Sequence, residues 1–479
     1  MERENAWKSY SDEDLAALET LAQGYIDFLS TCKTERECAR FAIDLAEENG
    51  YVSLEAAIKE KRPLQAGDRV WAHAHGKALM LVEIGFEPFE RGLNILGAHI
   101  DSPRLDIKQN PLFESNGFAL LDTHYYGGIK NYQWVTVPLA IHGVVVKKDG
   151  SVVDVVVGEA ADDPVFCVTD LLIHLASKQM GKKANEVVEG EDLDILVGNR
   201  PLVIEKGDAD DADADSTQAK RAKLAEKEPV KAYLLDLLAE RYGIEEEDFL
   251  SAELEVVPAG AARDCGFDRS MVLGYGQDDR VCAYTSLLAQ LAIEEPAKTC
   301  VCVLVDKEEI GSVGATGMAS QFFENTMAEI MALAGAPGDL PLRRALTASS
   351  MLSSDVSAGF DPAYSGVFET KNSAFLGRGL VFNKYTGSRG KSGSNDASAE
   401  YMARIRAIMD KANVAFQTAE LGRVDAGGGG TIAYIPAKYG MDVIDSGVAV
   451  LSMHSPWEVS SKADLFEAYK GYKSFLREA

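Results

Sequence analysis

The chain has 479 residues, of which 46% are apolar and 8% aromatic, and its 75 acidic against 48 basic side chains give a formal charge of −27. This length exceeds the ~250–300 residues at which single hydrophobic cores stop growing, so we expect two domains. So acidic a chain excludes nucleic acid and anionic membrane as main partners, because both require a basic surface.

Helices are predicted first along the chain. Ser11 precedes an acidic turn and apolar residues at helical spacing, among them Leu15 and Leu18, which is typical of a capped amphipathic helix. A second helix is predicted over residues 35–50. The run LNILGAHID, residues 93–101, is typical of a buried strand.

The pattern changes between residues 105 and 257. Two Val-rich runs joined by a Lys-Asp-Gly turn, AIHGVVVKKDGSVVDVVVG, predict a β-hairpin. Near residues 205–228 the low complexity and low apolar content predict a mobile acidic loop. From residue 258 onward strands alternate with helices, as in a largely parallel sheet covered on both faces. We therefore expect an α/β/α domain over residues 1–104 and 258–479, interrupted by a smaller β-rich domain over residues 105–257.

Targeting signals and metal-binding cysteine pairs are missing from the sequence. The N-terminal residues are polar, and no apolar run approaches the ~18 residues of a membrane span. Seven cysteines form no C-x-x-C pair, which argues against a zinc ribbon or a thioredoxin site. We expect a cytoplasmic protein that has no membrane partner.

Hard metal ligands follow apolar, strand-like runs at five places. These ligands are His99 with Asp101, Asp278 with Asp279, Glu308 with Glu309, Asp355, and His454. Ligands in open α/β sheets gather at the carboxyl ends of strands, and a mixed imidazole and carboxylate set suits Zn, Mn or Co. A two-metal hydrolase needs one carboxylate shared by both ions and another left free to take a proton.

Motifs along nearly the whole chain resemble those of the M18 family of metallo-aminopeptidases, which includes aspartyl aminopeptidase. The stretch HIDSPRLDIK resembles the family's His-x-Asp-Ser-Pro motif, DKEEIGS resembles Asp-x-Glu-Glu-Ile-Gly-Ser, and MHSPWE resembles Met-His-Ser-x-x-Glu. The stretches YYGG, LLIHL and RVDAGGGGTIAYI lie with these in family order.

The resemblance implies a zinc-peptidase-like α/β/α catalytic domain interrupted by a dimerisation domain, and dimers that assemble into a tetrahedral dodecamer. It also implies a metal-dependent aminopeptidase that removes the N-terminal residue of peptides. Two divalent ions per subunit are implied, Zn²⁺ in the first place, with Mn²⁺ or Co²⁺ as alternatives.

Five metal ligands are implied by the resemblance, divided between two ions that share Asp278. The ligands are His99, Asp278 and Asp355 for one ion, and Asp278, Glu309 and His454 for the other. Glu308 is implied as the general base, and Asp101 as the residue that orients His99. A one-residue shift in the alignment of QDDR would exchange Asp278 and Asp279, so the sequence leaves the bridging aspartate open.

Two further residues come from the resemblance, and some positions depart from it. His174, in LLIHL, matches a histidine that completes the active site across the dimer. Lys384, in VFNKYTG, stands where the family has an Ile-Lys-x-Asn motif, and it is a candidate to receive an acidic side chain or a carboxylate. Ala358 and Asp361 stand where the family has histidines, and Trp457 replaces an arginine. These departures leave open the preferred N-terminal residue, a catalytically silent assembly or peptide-binding protein, and a zinc carboxypeptidase or N-deacylase.

Overall fold

The computed structural model describes residues 3–203, 217–387 and 390–479. The chain divides into two compact units, one that combines the residues up to Ser102 with Ala261–Ala479, and one that runs from Pro103 to Gly260. Residues 205–216 of the predicted acidic loop lie outside the described residues. The prediction of a loop is wrong for Thr217–Ala225, which forms a helix, because its alanine, lysine and arginine residues favour helix despite their low hydrophobicity.

The two helices predicted near the N-terminus are confirmed. Ser11 caps the first of them, since its Oγ accepts a hydrogen bond from the backbone N–H of Asp14 at 3.2 Å. Among the described residues, no helix is both long and apolar enough to cross a bilayer. The helices of the described residues are α1 Asp12–Thr31, α2 Glu35–Glu48, α3 Leu54–Glu60, α4 Thr217–Ala225, α5 Pro229–Tyr242, α6 Gln277–Leu291, α7 Phe322–Leu333, α8 Asp339–Thr347, α9 Ala399–Lys411 and α10 Lys462–Glu478.

The strands include the predicted buried strand, which is β4, and the predicted hairpin, which is β7 and β8. The strands of the described residues are β1 Val52–Ser53, β2 Arg69–Ala74, β3 Ala78–Glu83, β4 Asn94–His99, β5 Arg104–Ser115, β6 Phe118–Tyr126, β7 Leu139–Val146, β8 Val152–Val157, β9 Ile195–Gly198, β10 Ala252–Pro258, β11 Arg263–Cys265, β12 Met271–Gly274, β13 Cys300–Val305, β14 Ser350–Ser354, β15 Ser357–Ala358, β16 Leu380–Asn383, β17 Phe416–Thr418, β18 Asp442–Gly447, β19 Ala449–Leu451 and β20 Glu458–Ser461.

A nine-stranded sheet forms the centre of the first unit, in the order β1-β2-β3-β13-β4-β14-β18-β16-β17. Its four middle strands, β13, β4, β14 and β18, are mutually parallel. Antiparallel pairs flank them, because β3 runs against β13 and β16 runs against β18. The carboxyl ends of the four parallel strands therefore lie at one edge of the sheet.

Both faces of this sheet are covered by helices, which confirms the predicted α/β/α fold. All of β13 is buried, and its side chains alternate between two cores. Cys302 and Leu304 pack in a core with residues of α1, α2, α6, α9 and α10. Val301 and Val303 pack on the opposite face, in a core with residues of α3, α7 and α8.

Two smaller sheets complete the described structure. The second unit contains an antiparallel sheet in the order β8-β7-β10-β5-β6-β9. The first unit contains a five-stranded sheet in the order β11-β12-β20-β19-β15. This five-stranded sheet matters for the site, because β12 leads into α6 and the turn between β19 and β20 carries His454.

Candidate metal centre

Neighbouring parallel strands deliver acidic and imidazole side chains to one edge of the large sheet. Strand β4 ends at His99, and β14 is followed directly by Asp355. Strand β13 is followed by a short 3₁₀ turn that begins with Glu308 and Glu309. Because β13 and β14 both pair with β4 in parallel, these side chains reach the same edge.

Two further side chains come from the region of the five-stranded sheet. Asp278 lies in the first turn of α6, where its backbone is not helical (φ −81°, ψ 106°), and its peptide bond to Asp279 is cis. His454 lies in the turn between β19 and β20 in a left-handed conformation with φ 63°.

The carboxylate of Asp278 lies between two imidazoles. Its Oδ1 is 3.2 Å from Nε2 of His99, and its Oδ2 is 3.2 Å from Nε2 of His454. Glu309 Oε2 approaches the same nitrogen of His454 at 3.5 Å. One oxygen thus faces each histidine, which is the arrangement that a carboxylate shared by two ions requires.

Three groups of side chains bring metal-ligating atoms within 4.8 Å of one another. The groups are His99–Asp278–Asp355, His99–Glu308–Glu309 and Asp278–Glu309–His454. The first and third groups have the same members as the two ligand sets implied by the resemblance. Among the groups found in the described part of the chain, Asp278 occurs in two and Asp279 in none.

Asp101 connects the end of β4 to the turn after β13. It is fully buried, and its two carboxylate oxygens accept hydrogen bonds from the backbone N–H groups of Glu308 and Glu309, each at 3.2 Å. Its Oδ1 is also 3.3 Å from Nδ1 of His99. A partner on Nδ1 fixes the orientation of the ring and leaves Nε2 directed at Asp278.

Two residues at the site had no predicted role. Glu458 accepts hydrogen bonds from the backbone N–H groups of Asp278 and His454, and Ser102 Oγ donates to the backbone oxygen of Asp278 at 2.8 Å. Ser102 lies in the motif HIDSPR and Glu458 in the motif MHSPWE, and membership of these motifs is the signal in the sequence that could have identified them. Their shared partner Asp278 is more than 170 residues away from both along the chain, so spacing could not reveal these contacts.

Burial raises the pKa of most carboxyl groups at this centre. The pKa of Glu308 rises to about 7, and those of Glu309 and Asp355 rise well above the usual range. Desolvation is the main cause for all three, because a charge buried away from water is unfavourable, and nearby acids add to it.

Asp278 and His99 are shifted by their mutual contact. Burial alone would raise the pKa of Asp278, but hydrogen bonds with His454 and His99 outweigh it and lower that pKa well below the usual range. Burial would lower the pKa of His99, whereas Asp101 and Asp278 raise it further than burial lowers it. His99, Glu308, Glu309 and Asp355 therefore keep their protons to a higher pH than the same side chains do in water.

The residues present fit a divalent metal ion. Glu309 Oε1 is buried and receives no hydrogen bond, an arrangement that is costly unless another partner is supplied. In the part of the chain that the structure describes, the ligating groups contain four carboxylates and two imidazoles, so bound cations would neutralise an excess of negative charge. Imidazole nitrogen and carboxylate oxygen are also the ligands of catalytic zinc sites.

His174 and Lys384, the two other residues with a predicted role, are both exposed. His174 lies in a turn of the second unit and is exposed, with the apolar side chains of Ile173 and Leu175 exposed beside it. Lys384 follows β16 and is exposed, and its Nζ donates to the carboxylate of Asp396. In the described residues neither belongs to a metal-ligating group.

Proteins similar to this chain match it over almost its full length. The family model of the aminopeptidase I zinc metalloproteases (M18) matches residues 28–476. A probable M18 family aminopeptidase 1 from Clostridium acetobutylicum is 58% identical over 475 residues, which are 99% of this chain and 98% of that protein. The crystal structure of an M18 aminopeptidase from Thermotoga maritima has a TM-score of 0.91 at 43% identity and covers 100% of both chains. The yeast mApe1 dodecamer has a similar fold, with a TM-score of 0.74 at 20% identity, over 96% of this chain and 97% of that one.

Metal binding is expected to release protons and to strengthen as the pH rises. The raised pKa values of Glu309 and Asp355 mean that these groups keep their protons to a higher pH than ordinary carboxyl groups do, and a bound ion must displace those protons. Calorimetric zinc titrations of metal-stripped protein in buffers of different ionisation enthalpy, from about pH 6 to about pH 8, measure this release. An affinity independent of pH, with no net proton release, would contradict the assignment.

Proposed function

Because the chain belongs to the M18 family of zinc metallo-aminopeptidases, we propose that it hydrolyses the N-terminal residue of peptides at a two-ion centre with Glu308 as the general base. Its metal-dependent aminopeptidase activity follows from this membership; the ion count and the residue roles are our proposal. The observation that carries it is the carboxylate of Asp278, with one oxygen 3.2 Å from each of two histidines.

Five side chains would hold the ions, with Asp278 shared. The proposed sets are His99, Asp278 and Asp355 for one ion, and Asp278, Glu309 and His454 for the other. This mixture of nitrogen and oxygen ligands suits Zn²⁺, and also Mn²⁺ or Co²⁺. When bound, the ions supply Lewis acidity, which polarises the scissile carbonyl group and lowers the pKa of water.

Glu308 is the carboxylate left outside both proposed ligand sets. It lies close to His99 and Glu309, and burial raises its pKa to about 7 before any ion is bound. Glu308 would take a proton from the attacking water and pass it to the leaving amine. Asp101 supports this role, because its carboxylate holds the backbone N–H of Glu308 in place.

The substrate is proposed to be a peptide with a free amino terminus. The α-amino group, in its neutral form, and the scissile carbonyl group would bind at the ions, which accept nitrogen and oxygen ligands. His174 of a neighbouring subunit is proposed to donate a hydrogen bond to the developing oxyanion, a kind of contact commonly worth about 3–4 kcal/mol.

A homo-oligomer would account for the exposed apolar residues around His174. Leu172, Ile173 and Leu175 are 54%, 66% and 68% exposed, and contiguous exposed apolar side chains favour burial against another protein. We propose dimers that pair through this part of the second unit and assemble into a tetrahedral dodecamer. The yeast mApe1 with the same fold is a dodecamer.

Lys384 is proposed to lie where the side chain of the substrate's first residue binds. Its ammonium group is already paired with Asp396, which also accepts a hydrogen bond from Lys391 at 3.2 Å. An acidic substrate side chain would have to compete with Asp396 for Lys384. We therefore propose a preference for neutral over acidic N-terminal residues.

A cytoplasmic location is also proposed, and the cysteines support it. All seven are free, and Cys282, Cys300 and Cys302 are buried in the core. Disulfides form in oxidising compartments, so seven unpaired thiols suit a reducing one.

Glu308→Gln is expected to lower kcat about a thousandfold, because glutamine keeps the shape of the side chain but cannot take a proton. Both ions should stay bound, since Glu308 belongs to neither proposed ligand set. Turnover of aminoacyl-p-nitroanilides with added zinc, and the metal content by mass spectrometry, test this. A variant that keeps more than about a tenth of the wild-type rate would disprove the role.

Two controls separate the alternatives. N-terminal acetylation of a tripeptide with a free carboxyl terminus should stop its hydrolysis by the wild type, whereas a zinc N-deacylase would still release acetate and a carboxypeptidase would still release the C-terminal residue. Wild-type protein that binds both ions and turns over no substrate in the panel would support a catalytically silent peptide-binding or assembly protein.

Asp396→Asn is expected to raise kcat/KM for glutamyl-p-nitroanilide several-fold relative to the leucyl substrate. The substitution removes the negative charge that competes with an acidic substrate for Lys384. Lys391→Met is the matched control, because it removes a contact of Asp396 and leaves the pair with Lys384 in place. An unchanged ratio of the two substrates in Asp396→Asn would count against Lys384 as the specificity residue.

A further inference from the structure

Glu458 joins two segments that are distant in the sequence. It is the first residue of β20 and is 1% exposed. Its Oε2 accepts a hydrogen bond from the backbone N–H of Asp278 at 3.1 Å, and its Oε1 accepts one from the backbone N–H of His454 at 2.8 Å. One buried carboxylate thus fixes the backbone of two residues whose side chains meet at the centre.

We infer that Glu458 is a positioning residue for one of the two ions, the one assigned to Asp278, Glu309 and His454. This inference rests on the proposed function, which makes those three residues ligands. Glu458 itself belongs to none of the ligand groups in the described residues. Its two oxygens serve the backbone, and it acts through the ligands that it holds.

His454 needs such support because of its backbone conformation. Its φ of 63° is left-handed, and Ser452 in the same turn has φ 59°. A non-glycine residue in this region is strained, and it persists where its surroundings hold it. The hydrogen bond from the N–H of His454 to Glu458 supplies part of that support.

Asp278 needs it for a different reason. It lies in the first turn of α6, where backbone N–H groups have no partner within the helix. Glu458 accepts from this N–H, while Ser102 Oγ donates to the carbonyl oxygen of the same residue at 2.8 Å. The backbone of Asp278 is therefore held on both sides, and its carboxylate is left free to face the two histidines.

The position of Glu458 is itself fixed by a buried network. The side-chain amide of Gln277 donates to the backbone oxygen of Glu458 at 2.6 Å. The amide oxygen of Gln277 accepts hydrogen bonds from the hydroxyl groups of Tyr25, at 3.2 Å, and Ser460, at 2.5 Å. Because these hydrogen bonds fix Glu458, Glu458 can in turn keep the backbone of Asp278 and His454 in place.

Glu458 should affect one ion site more than the other, because it accepts hydrogen bonds from His454 and Asp278 and from none of the other proposed ligands in the described residues. Among the ligand groups of the described residues, His454 occurs in the one with Asp278 and Glu309, whereas His99 and Asp355 form a group with Asp278 that lacks His454. Loss of the Glu458 carboxylate should therefore lower the affinity for the ion at the His454 group more than the affinity for the ion at the His99 group.

Glu458→Gln tests this, with Asp464→Asn as a matched control. Asp464 is also fully buried and also accepts two backbone hydrogen bonds, from the N–H groups of Gly377 at 2.8 Å and Gly379 at 2.7 Å. It belongs to no ligand group in the described residues. We expect Glu458→Gln to bind one of the two zinc ions about 10–100-fold more weakly, and to weaken the binding of the other, which shares Asp278 but not His454, by much less, in titrations of metal-stripped protein.

The control should bind both ions as the wild type does, even where its urea midpoint falls as far as that of Glu458→Gln. Excess zinc should restore the turnover of Glu458→Gln, which a general folding defect would not allow. Equal affinities of Glu458→Gln and wild type for both ions would overturn the inference, as would an equal loss of affinity in Asp464→Asn. Wild-type protein that binds fewer than two ions would overturn the two-ion function, and this inference with it.

Discussion

The carboxylate of Asp278, held between the imidazoles of His99 and His454, is the interaction on which the rest of the site depends. Around it the chain buries further carboxyl groups, two of them on Glu308 and Glu309. Charges buried so close together repel one another and lose their hydration, so the centre either keeps protons or takes up cations. The raised pKa values of the metal-free acids and the fit to divalent ions both follow from this constraint.

Two buried carboxylates hold the backbone around the centre by the same device. Asp101 accepts hydrogen bonds from the N–H groups of Glu308 and Glu309, and Glu458 accepts them from those of Asp278 and His454. A carboxylate with two oxygens can fix two peptide groups at once. The order of the parallel strands brings their ends together, and the hydrogen bonds to Asp101 and Glu458 then fix the directions of the individual side chains.

Local patterns in the sequence predicted much of the fold. Ser11 and the acids after it marked a helix start, and the Lys-Asp-Gly turn between Val-rich runs marked the hairpin, because caps and turns depend on neighbouring residues. The strand order is non-local and could not be deduced. The helix Thr217–Ala225 was missed because it has little apolar content, although its residues favour helix.

The candidate site could also be predicted from the sequence only in part. The resemblance of the motifs named the proposed ligands, and the fold brings these residues together. The choice between Asp278 and Asp279 could not be made from the sequence, because it depends on where the two side chains lie in three dimensions. The role of Glu458 could not be predicted either, because the backbone N–H of Asp278 that it holds is 180 residues away.

Anomalous diffraction at the zinc edge, from crystals grown with zinc, tests the centre most directly. We expect two peaks, one on either side of the Asp278 carboxylate, the first beside His99 and the second beside His454. A single peak, or peaks that Asp278 does not contact, would contradict the shared-carboxylate centre.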